Sequence, residues 1–204
     1  SKVDGTRIDG PNDLVMDLKG GIYVTDPQFI QDKKKMPGTQ VYYVDSRRKS
    51  KVVIPAGEYA MPNGVEISPD GKTLYVNNTW KQPGGNFVYA YDIKEDGSLT
   101  NKRKFAMLNL TSEVLNAKEP TDRVNSQADG MAVDMDGRLY VATLSGAQIF
   151  DATGVYVGTI WCEQFPVSLT FGGNNNDVLY MVGQSSVWSI QTKVKGFRVP
   201  EGMN

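Results

Sequence analysis

The chain has 204 residues, of which 40% are hydrophobic and 22% charged, and its formal net charge is −1. This composition is typical of a globular domain with a buried core, and the near-neutral charge provides no electrostatic footprint for nucleic acid or an anionic membrane, so neither is expected as a partner. The absence of histidine from the sequence excludes a Ser-His-Asp triad, a Cys-His pair and a histidine-based zinc site.

Cys162 is the only cysteine of the sequence, which excludes an internal disulfide framework. We interpret it as a small, partly buried hydrophobic residue rather than a nucleophile. No stretch approaches the roughly 20 apolar residues of a membrane-spanning helix, and the first ten residues lack the apolar segment of a signal peptide. The compartment stays open between the cytoplasm and the periplasm or exterior.

Four related segments follow one another along the chain. They read NDLVMDLKGGIYVTD at 12–26, NGVEISPDGKTLYVNN at 63–78, DGMAVDMDGRLYVAT at 129–143 and SLTFGGNNNDVLYMVG at 168–183. Each contains alternating apolar residues, a glycine-containing turn and an aliphatic-aromatic run. These features together predict a β-hairpin in each segment.

Further strands are predicted after the hairpins, at 40–45, 51–55, 87–93, 105–108, 147–151 and 187–191. Three long connections, at 28–39, 80–86 and 111–128, are predicted to be exposed loops. The repeats begin 51, 66 and 39 residues apart, at Asn12, Asn63, Asp129 and Ser168. Units of this size, with four strands each and loops of variable length, are typical of β-propeller blades. The sequence therefore predicts an all-β fold, with residues 1–204 forming a single β-propeller domain of about four four-stranded blades.

We expect this propeller to be incomplete at its N-terminus. The first repeat begins at Asn12, with only a short segment before it, and the one candidate for a terminal strand that could close the ring is Phe197–Pro200. An open ring would leave two exposed sheet edges, which globular proteins usually avoid.

An oxygen-bearing side chain opens each of the first three repeats: Asn12, Asn63 and Asp129. Equivalent positions of propeller blades converge on one mouth of the central channel, so these residues would form a ring of oxygen donors of the kind that calcium prefers. The alternative is that asparagine and aspartate near glycine are only turn formers. Agreement in phase across three repeats favours the ligand interpretation. Ser168 takes this phase in the fourth repeat and would be a poorer ligand.

The strings PNDLVMDLKGGIYVTDP, MPNGVEISPDGKTLYVNNT, DGMAVDMDGRLYVAT and FGGNNNDVLYMV resemble the gluconolactonase and senescence-marker-protein (regucalcin) family of lactonases over nearly the whole chain. The resemblance implies a six-bladed propeller, a divalent metal in the central channel and hydrolysis of a sugar lactone or related ester. Calcium is the expected ion, with magnesium, manganese or zinc as alternatives. The expected partner is a small-molecule lactone or ester.

Carried over by motif, Asn63 and Asp129 would be metal ligands, and Asn12 would contact the substrate or a water on the metal. Asp129 would also be the catalytic general base. The family has a further glutamate ligand in an EGP-like motif of its first blade, which nothing in this chain matches. Glu58, in a connection, and Glu66, facing the sheet, are poor substitutes. We therefore expect N-terminal blades to be absent from this chain and to associate with it.

Two other functions remain open from the residues alone. Because propellers host many unrelated functions, the first alternative is a non-catalytic binding module or an inactive fragment. The second keeps the same site but hydrolyses a phosphotriester.

Overall fold

The computed structural model describes residues 2–3, 6–8, 10–27, 39–79, 85–110 and 126–199. Within these ranges all regular structure is β-strand, which confirms the expected all-β class. No described residue belongs to a helix long and apolar enough to cross a membrane. The predicted loops at 28–39, 80–86 and 111–128 lie mostly outside the described residues.

The strands form four antiparallel blades in which neighbours in the chain are neighbours in the sheet. Blade 1 contains β3 (Leu14–Met16), β4 (Ile22–Asp26), β5 (Gln40–Val44) and β6 (Ser50–Ile54). Blade 2 contains β7 (Pro62–Ile67), β8 (Thr73–Asn78), β9 (Phe87–Ile93) and β10 (Leu99–Met107). Blade 3 contains β11 (Met131–Val133), β12 (Leu139–Thr143), β13 (Gly146–Phe150) and β14 (Tyr156–Ile160). Blade 4 contains β15 (Ser168–Gly172), β16 (Val178–Val182) and β17 (Val187–Gln191), and a ribbon of β1 (Lys2–Val3) and β2 (Thr6–Arg7) precedes blade 1.

Most strand predictions are confirmed to within one residue, and the outer strand predicted at 105–108 is the end of a longer β10. The terminal strand predicted at 197–200 is wrong for its described part, 197–199. There the chain crosses to blade 3, where Phe197 N donates to Val133 O and Gly196 forms an isolated bridge with Asp134. The C-terminal segment is held at the end of an inner strand rather than in a strand of its own.

Aspartates shape the hairpin turns by accepting hydrogen bonds from the backbone ahead of them. Asp17 Oδ1 accepts from Lys19 N at 2.8 Å and from Gly21 N at 2.7 Å, and its Oδ2 accepts from Tyr43 OH. The turn is thereby bonded to the third strand of its own blade. Asp134 accepts from Asp136 N and Arg138 N in the same way, so this aspartate recurs three residues before the turn glycine, Gly20 or Gly137.

Apolar side chains fill the spaces between consecutive blades. Blades 1 and 2 share a buried cluster that includes Tyr23, Tyr43, Val65, Leu74 and Tyr89. Blades 2 and 3 bury Val88, Ala90, Met131, Leu139 and Phe150, and blades 3 and 4 bury Tyr140, Ala142, Leu169, Leu179 and Met181. Burial of one large apolar side chain contributes about 1.5–3 kcal/mol, so these clusters fix the order and spacing of the blades.

The first and last blades also keep apolar side chains in solvent. Leu14 and Met16 of β3 are 62% and 43% exposed, and Val187 and Ile190 of β17 are 65% and 41% exposed. The corresponding inner strands of blades 2 and 3, β7 and β11, are instead almost wholly buried, although outer strands of these blades also expose Met107 and Val157.

Candidate functional site

The inner strand of blade 3 is preceded by a β-bulge. Asp129 N donates to Ala142 O, while Ala142 N donates to Gly130 O, so two residues oppose one. In blade 1, residues 12–13 oppose Thr25 through the same pair of hydrogen bonds. A bulge takes a side chain out of the regular strand alternation and re-aims it. The repeated amide and carboxylate positions are therefore bulge positions.

Blade 2 carries the same irregularity, because the register of β7 and β8 shifts between Pro62 and Val65. The bulge places Asn63 at one end of its blade, in phase with Asn12 and Asp129. Three neighbouring blades therefore present these residues at the same end of the fold.

Blade 4 does not continue the series, and the assignment of Ser168 to this phase is wrong by one residue. The backbone bond equivalent to that of Asp129 is made by Val167 N, which donates to Val182 O. Ser168 is paired with Val182 inside β15. An apolar valine therefore occupies the ligand phase in blade 4 and offers no side-chain donor.

Asn63 is a buried amide whose oxygen lacks a partner. Its side chain is 4% exposed, and Nδ2 donates to Thr79 Oγ1 at 2.8 Å and to Ala128 O at 3.4 Å. Its Oδ1 is buried and accepts no hydrogen bond from any described residue. Buried polar atoms are nearly always partnered, and an orphaned carbonyl-type oxygen is a ligand that calcium accepts. The residue therefore fits a cation-binding role.

Asp129 lies beside this amide and is held in an environment unfavourable to its charge. Burial raises the pKa of Asp129 to about 6, and the charge of Asp13 adds to the shift. Hydrogen bonds from Gly130 N and the Asn63 side chain oppose it. A cation at this point would compensate the carboxylate charge while giving Asn63 Oδ1 a partner.

Asn12 lies at the same end of the fold but apart from the other two. Its side chain is exposed, and its backbone N donates to Thr25 O. No hydrogen bond connects its side chain to Asn63 or Asp129. The structure therefore brings together two of the three residues singled out in the sequence and leaves the third one blade away.

Two acidic residues that the sequence did not assign to the site line a cavity along the inner strands. The cavity has a volume of about 400 Å³ and is bordered by Asp13 and Glu66, among other residues. Glu66 was expected to face the sheet; it lines the cavity instead. Burial raises the pKa of Glu66 to about 8, with the charge of Asp13 adding to the shift.

Asp13 joins the first two blades. Its Oδ2 accepts from Val65 N at 3.0 Å, and its Oδ1 accepts from Leu14 N. Burial raises the pKa of Asp13, which these two hydrogen bonds oppose. The position of Asp13, directly after Asn12 in the bulge, is the signal in the sequence that could have identified it.

The described residues contain no cluster of three acidic, cysteine or histidine side chains with the geometry of a metal site. Asn63 and Asp129 are hydrogen-bonded neighbours, and their side chains would supply an amide oxygen and a carboxylate to a cation at this end.

Comparison with known proteins relates this arrangement to a family. A sequence profile described as SMP-30/Gluconolactonase/LRE-like region matches residues 1–185. A gluconolactonase of Zymomonas mobilis is 29% identical over 201 residues, which cover 94% of this chain and 53% of that protein. The chain thus spans about half the length of this relative.

Two solved structures have the same fold. A gluconolactonase from Xanthomonas campestris aligns with a TM-score of 0.73 at 25% identity, over 93% of this chain and 59% of that chain. Regucalcin from Agrobacterium tumefaciens, described as a calcium-binding protein, aligns with a TM-score of 0.67 at 16% identity, over 92% of this chain and 64% of that chain. The second likeness is one of fold alone. The match of the family profile over most of the chain establishes that this chain belongs to the SMP-30/gluconolactonase/LRE-like family.

Proposed function

We propose that the protein hydrolyses a sugar lactone or a related ester at the mouth of the propeller channel, with the help of a divalent cation. The observation that carries this proposal is the orphaned, buried Asn63 Oδ1, on a side chain that also hydrogen-bonds the Asp129 carboxylate. The gluconolactonase of Zymomonas mobilis, which aligns with 94% of this chain, supports the substrate class.

The donor chemistry favours calcium as the cation. Amide and carboxylate oxygens suit calcium, magnesium and manganese, whereas zinc sites usually include histidine or cysteine. Asn63 and Asp129 would hold the ion, and the substrate, water and further segments of the protein would complete its coordination. Magnesium, manganese and zinc are the alternatives that a titration should include.

Asp129, Asn63 and Asn12 have different roles in the proposed reaction. When bound, the cation supplies Lewis-acid polarisation of the lactone carbonyl and lowers the pKa of a water. Asp129 accepts a proton from the attacking water and delivers it to the ring oxygen as the ester C–O bond breaks, so the product is a hydroxy acid. Asn63 cannot titrate and fixes the geometry. Asn12, exposed at the same end, hydrogen-bonds the substrate.

We also propose that the ring of this propeller contains further blades. Apolar side chains of the first and last blades, such as Leu14 and Val187, are exposed, and an adjoining blade would cover them. An added blade would also offer a position for an acidic ligand. The natural protein is then expected to have an intact mass well above 22.5 kDa; a mass equal to that value would contradict this proposal.

A non-catalytic binding propeller is the second candidate. It is favoured by one observation: among the described residues, Asp129 belongs to no group of three acidic, cysteine or histidine side chains that could hold a metal ion. Such a protein would bind calcium or a sugar without turnover.

Asp129→Asn distinguishes these two candidates. This substitution keeps the size of the side chain but removes the base, so we expect hydrolysis of glucono-δ-lactone, followed in a pH-stat, to fall about 10²- to 10⁴-fold. Asp136→Asn is the matched control, because Asp136 is an exposed turn residue bonded to Arg138. Unchanged turnover in Asp129→Asn would refute the assigned role. Turnover of a phosphotriester alone would redirect the proposal to that substrate class.

A further inference from the structure

We infer that Thr79, directly after β8, is a positioning residue that holds the Asn63 amide with its oxygen toward the cation. The inference rests on the proposed function of the channel mouth, although part of its test needs no cation. Thr79 is not among the residues that would touch the ion or the lactone. It acts through Asn63.

The hydroxyl group of Thr79 has a single proton to donate. Thr79 Oγ1 donates this proton to Ala128 O, so towards Asn63 the hydroxyl oxygen can only accept. The group of Asn63 that faces Thr79 at 2.8 Å must therefore be the N–H-bearing nitrogen. A flipped amide would set two acceptor oxygens against each other.

Ala128 O enforces the same orientation from a second direction. A backbone carbonyl can only accept, and it lies 3.4 Å from Asn63 Nδ2. These two acceptors surround the amide nitrogen together with the Asp129 carboxylate, which also accepts from the Asn63 side chain, and Oδ1 is left as the buried atom without a partner. The absence of a hydrogen bond to Oδ1 follows from the way Thr79 and Ala128 orient the amide.

The backbone at 128–129, to which Thr79 donates, is also hydrogen-bonded to blade 2. Asn77, fully buried, accepts from Gly64 N through Oδ1 at 3.1 Å and donates from Nδ2 to Asp129 O at 2.6 Å. The side chain thus connects the bulge of blade 2 with the bulge of blade 3. Thr79 donates to Ala128 O, and Asn77 donates to the next carbonyl, Asp129 O. The backbone against which Asn63 is oriented is therefore itself held by hydrogen bonds.

Removal of a residue that hydrogen-bonds a metal ligand typically weakens metal binding about 10- to 100-fold. Thr79→Val preserves the shape of the side chain but removes the hydroxyl, whereas Thr79→Ser retains it. Thr192→Val is the matched control, because Thr192 Oγ1 also donates to a backbone carbonyl, Asp177 O, at 2.7 Å in the last blade.

The first readout is hydrogen exchange of the Asn63 side-chain amide by NMR, in chelator, with Asn63→Asp identifying its signal. We expect a protected amide in the wild-type protein, in Thr79→Ser and in Thr192→Val, and faster exchange in Thr79→Val. Rapid exchange in the wild-type protein would overturn the inference without any variant, as would unchanged protection in Thr79→Val.

The second readout is calcium affinity by isothermal titration calorimetry, with thermal unfolding to check that each variant is folded. We expect Thr79→Val to bind calcium about 10- to 100-fold more weakly and Thr79→Ser to bind close to wild type. Equal affinity in Thr79→Val, or no rescue by serine, would overturn the inference. If the wild-type protein binds no calcium, the proposed function fails, and the amide exchange alone decides whether Thr79 positions Asn63.

Discussion

Two neighbouring side chains at one end of the fold, Asn63 and Asp129, each lack the compensating interaction that a cation would provide. Asn63 has a buried oxygen with no hydrogen-bond donor among the described residues, and Asp129 has a carboxylate whose pKa is raised to about 6 by burial. Neither arrangement favours stability by itself, because an unpaired buried polar atom and an uncompensated buried charge both cost free energy. Proteins tolerate such costs mainly where function requires them.

Glu66 provides a test of the electrostatics of the adjoining cavity. Its pKa is raised from 4.5 to about 8, chiefly by burial. The folded protein therefore holds this proton more tightly than the unfolded chain does. The resulting stability is fully present below pH 4.5 and is lost as the pH rises towards 8.

We expect Glu66→Gln, which cannot ionise, to become more stable relative to wild type as the pH rises. The gain between pH 5 and pH 8 should be on the order of 2 kcal/mol, less than the full shift implies because the cavity leaves the side chain partly accessible. Urea unfolding in chelator measures it, with the exposed Glu163→Gln as the control. A gain that does not change with pH would contradict the assigned burial of Glu66.

The positions of the candidate residues were predictable from the sequence where the repeats could be aligned without ambiguity. Asn63 and Asp129 open two copies of one pattern, and the structure brings them together. Ser168 was misplaced because the fourth copy is too divergent to fix its phase, and only the hydrogen bond of Val167 settles it. The placement of Glu66 depends on how strands tilt around the channel, which alternation along a single strand does not encode.

The element that positions the site is a hairpin with a bulge at its first residues. Alternation and turn chemistry predicted the hairpins, and the observed strands agree to within one residue at most positions. The bulges were not predictable in this way, because an Asn-Gly or Asp-Gly pair is equally a signal for a turn. In blades 2 and 3 the pair forms a bulge: the glycine is its second residue, and the side chain of the residue before it, Asn63 or Asp129, is turned out of the regular alternation.

Gly64 tests how closely the bulges of blades 2 and 3 must approach. A Cβ added there would lie 2.2 Å from Asp129 O and 2.5 Å from Asn77 Nδ2. We expect Gly64→Ala to lower the free energy of unfolding by about 1–3 kcal/mol through overpacking. Gly158→Ala is the control, because nothing lies within 4 Å of its added Cβ. Equal stability of the two variants in urea would contradict the close contact between these bulges.

At the scale of the whole molecule, the blade count and the all-β class followed from the repeat length, and the structure confirms both. The choice of substrate was not predictable from the sequence, because long loops depend on contacts that local sequence patterns do not specify. The chain spans about half of its gluconolactonase relative and exposes apolar groups on its first and last blades. Lactone hydrolysis, which is a proposal for this chain, is therefore the property to measure.

The most direct measurement is pH-stat hydrolysis of glucono-δ-lactone by the purified protein before chelation, after removal of divalent cations, and after calcium is restored. If Asn63 and Asp129 hold a cation that the reaction needs, hydrolysis should disappear on chelation and return with calcium. Hydrolysis that persists at full rate in chelator, or no hydrolysis in the presence of calcium, would contradict the account.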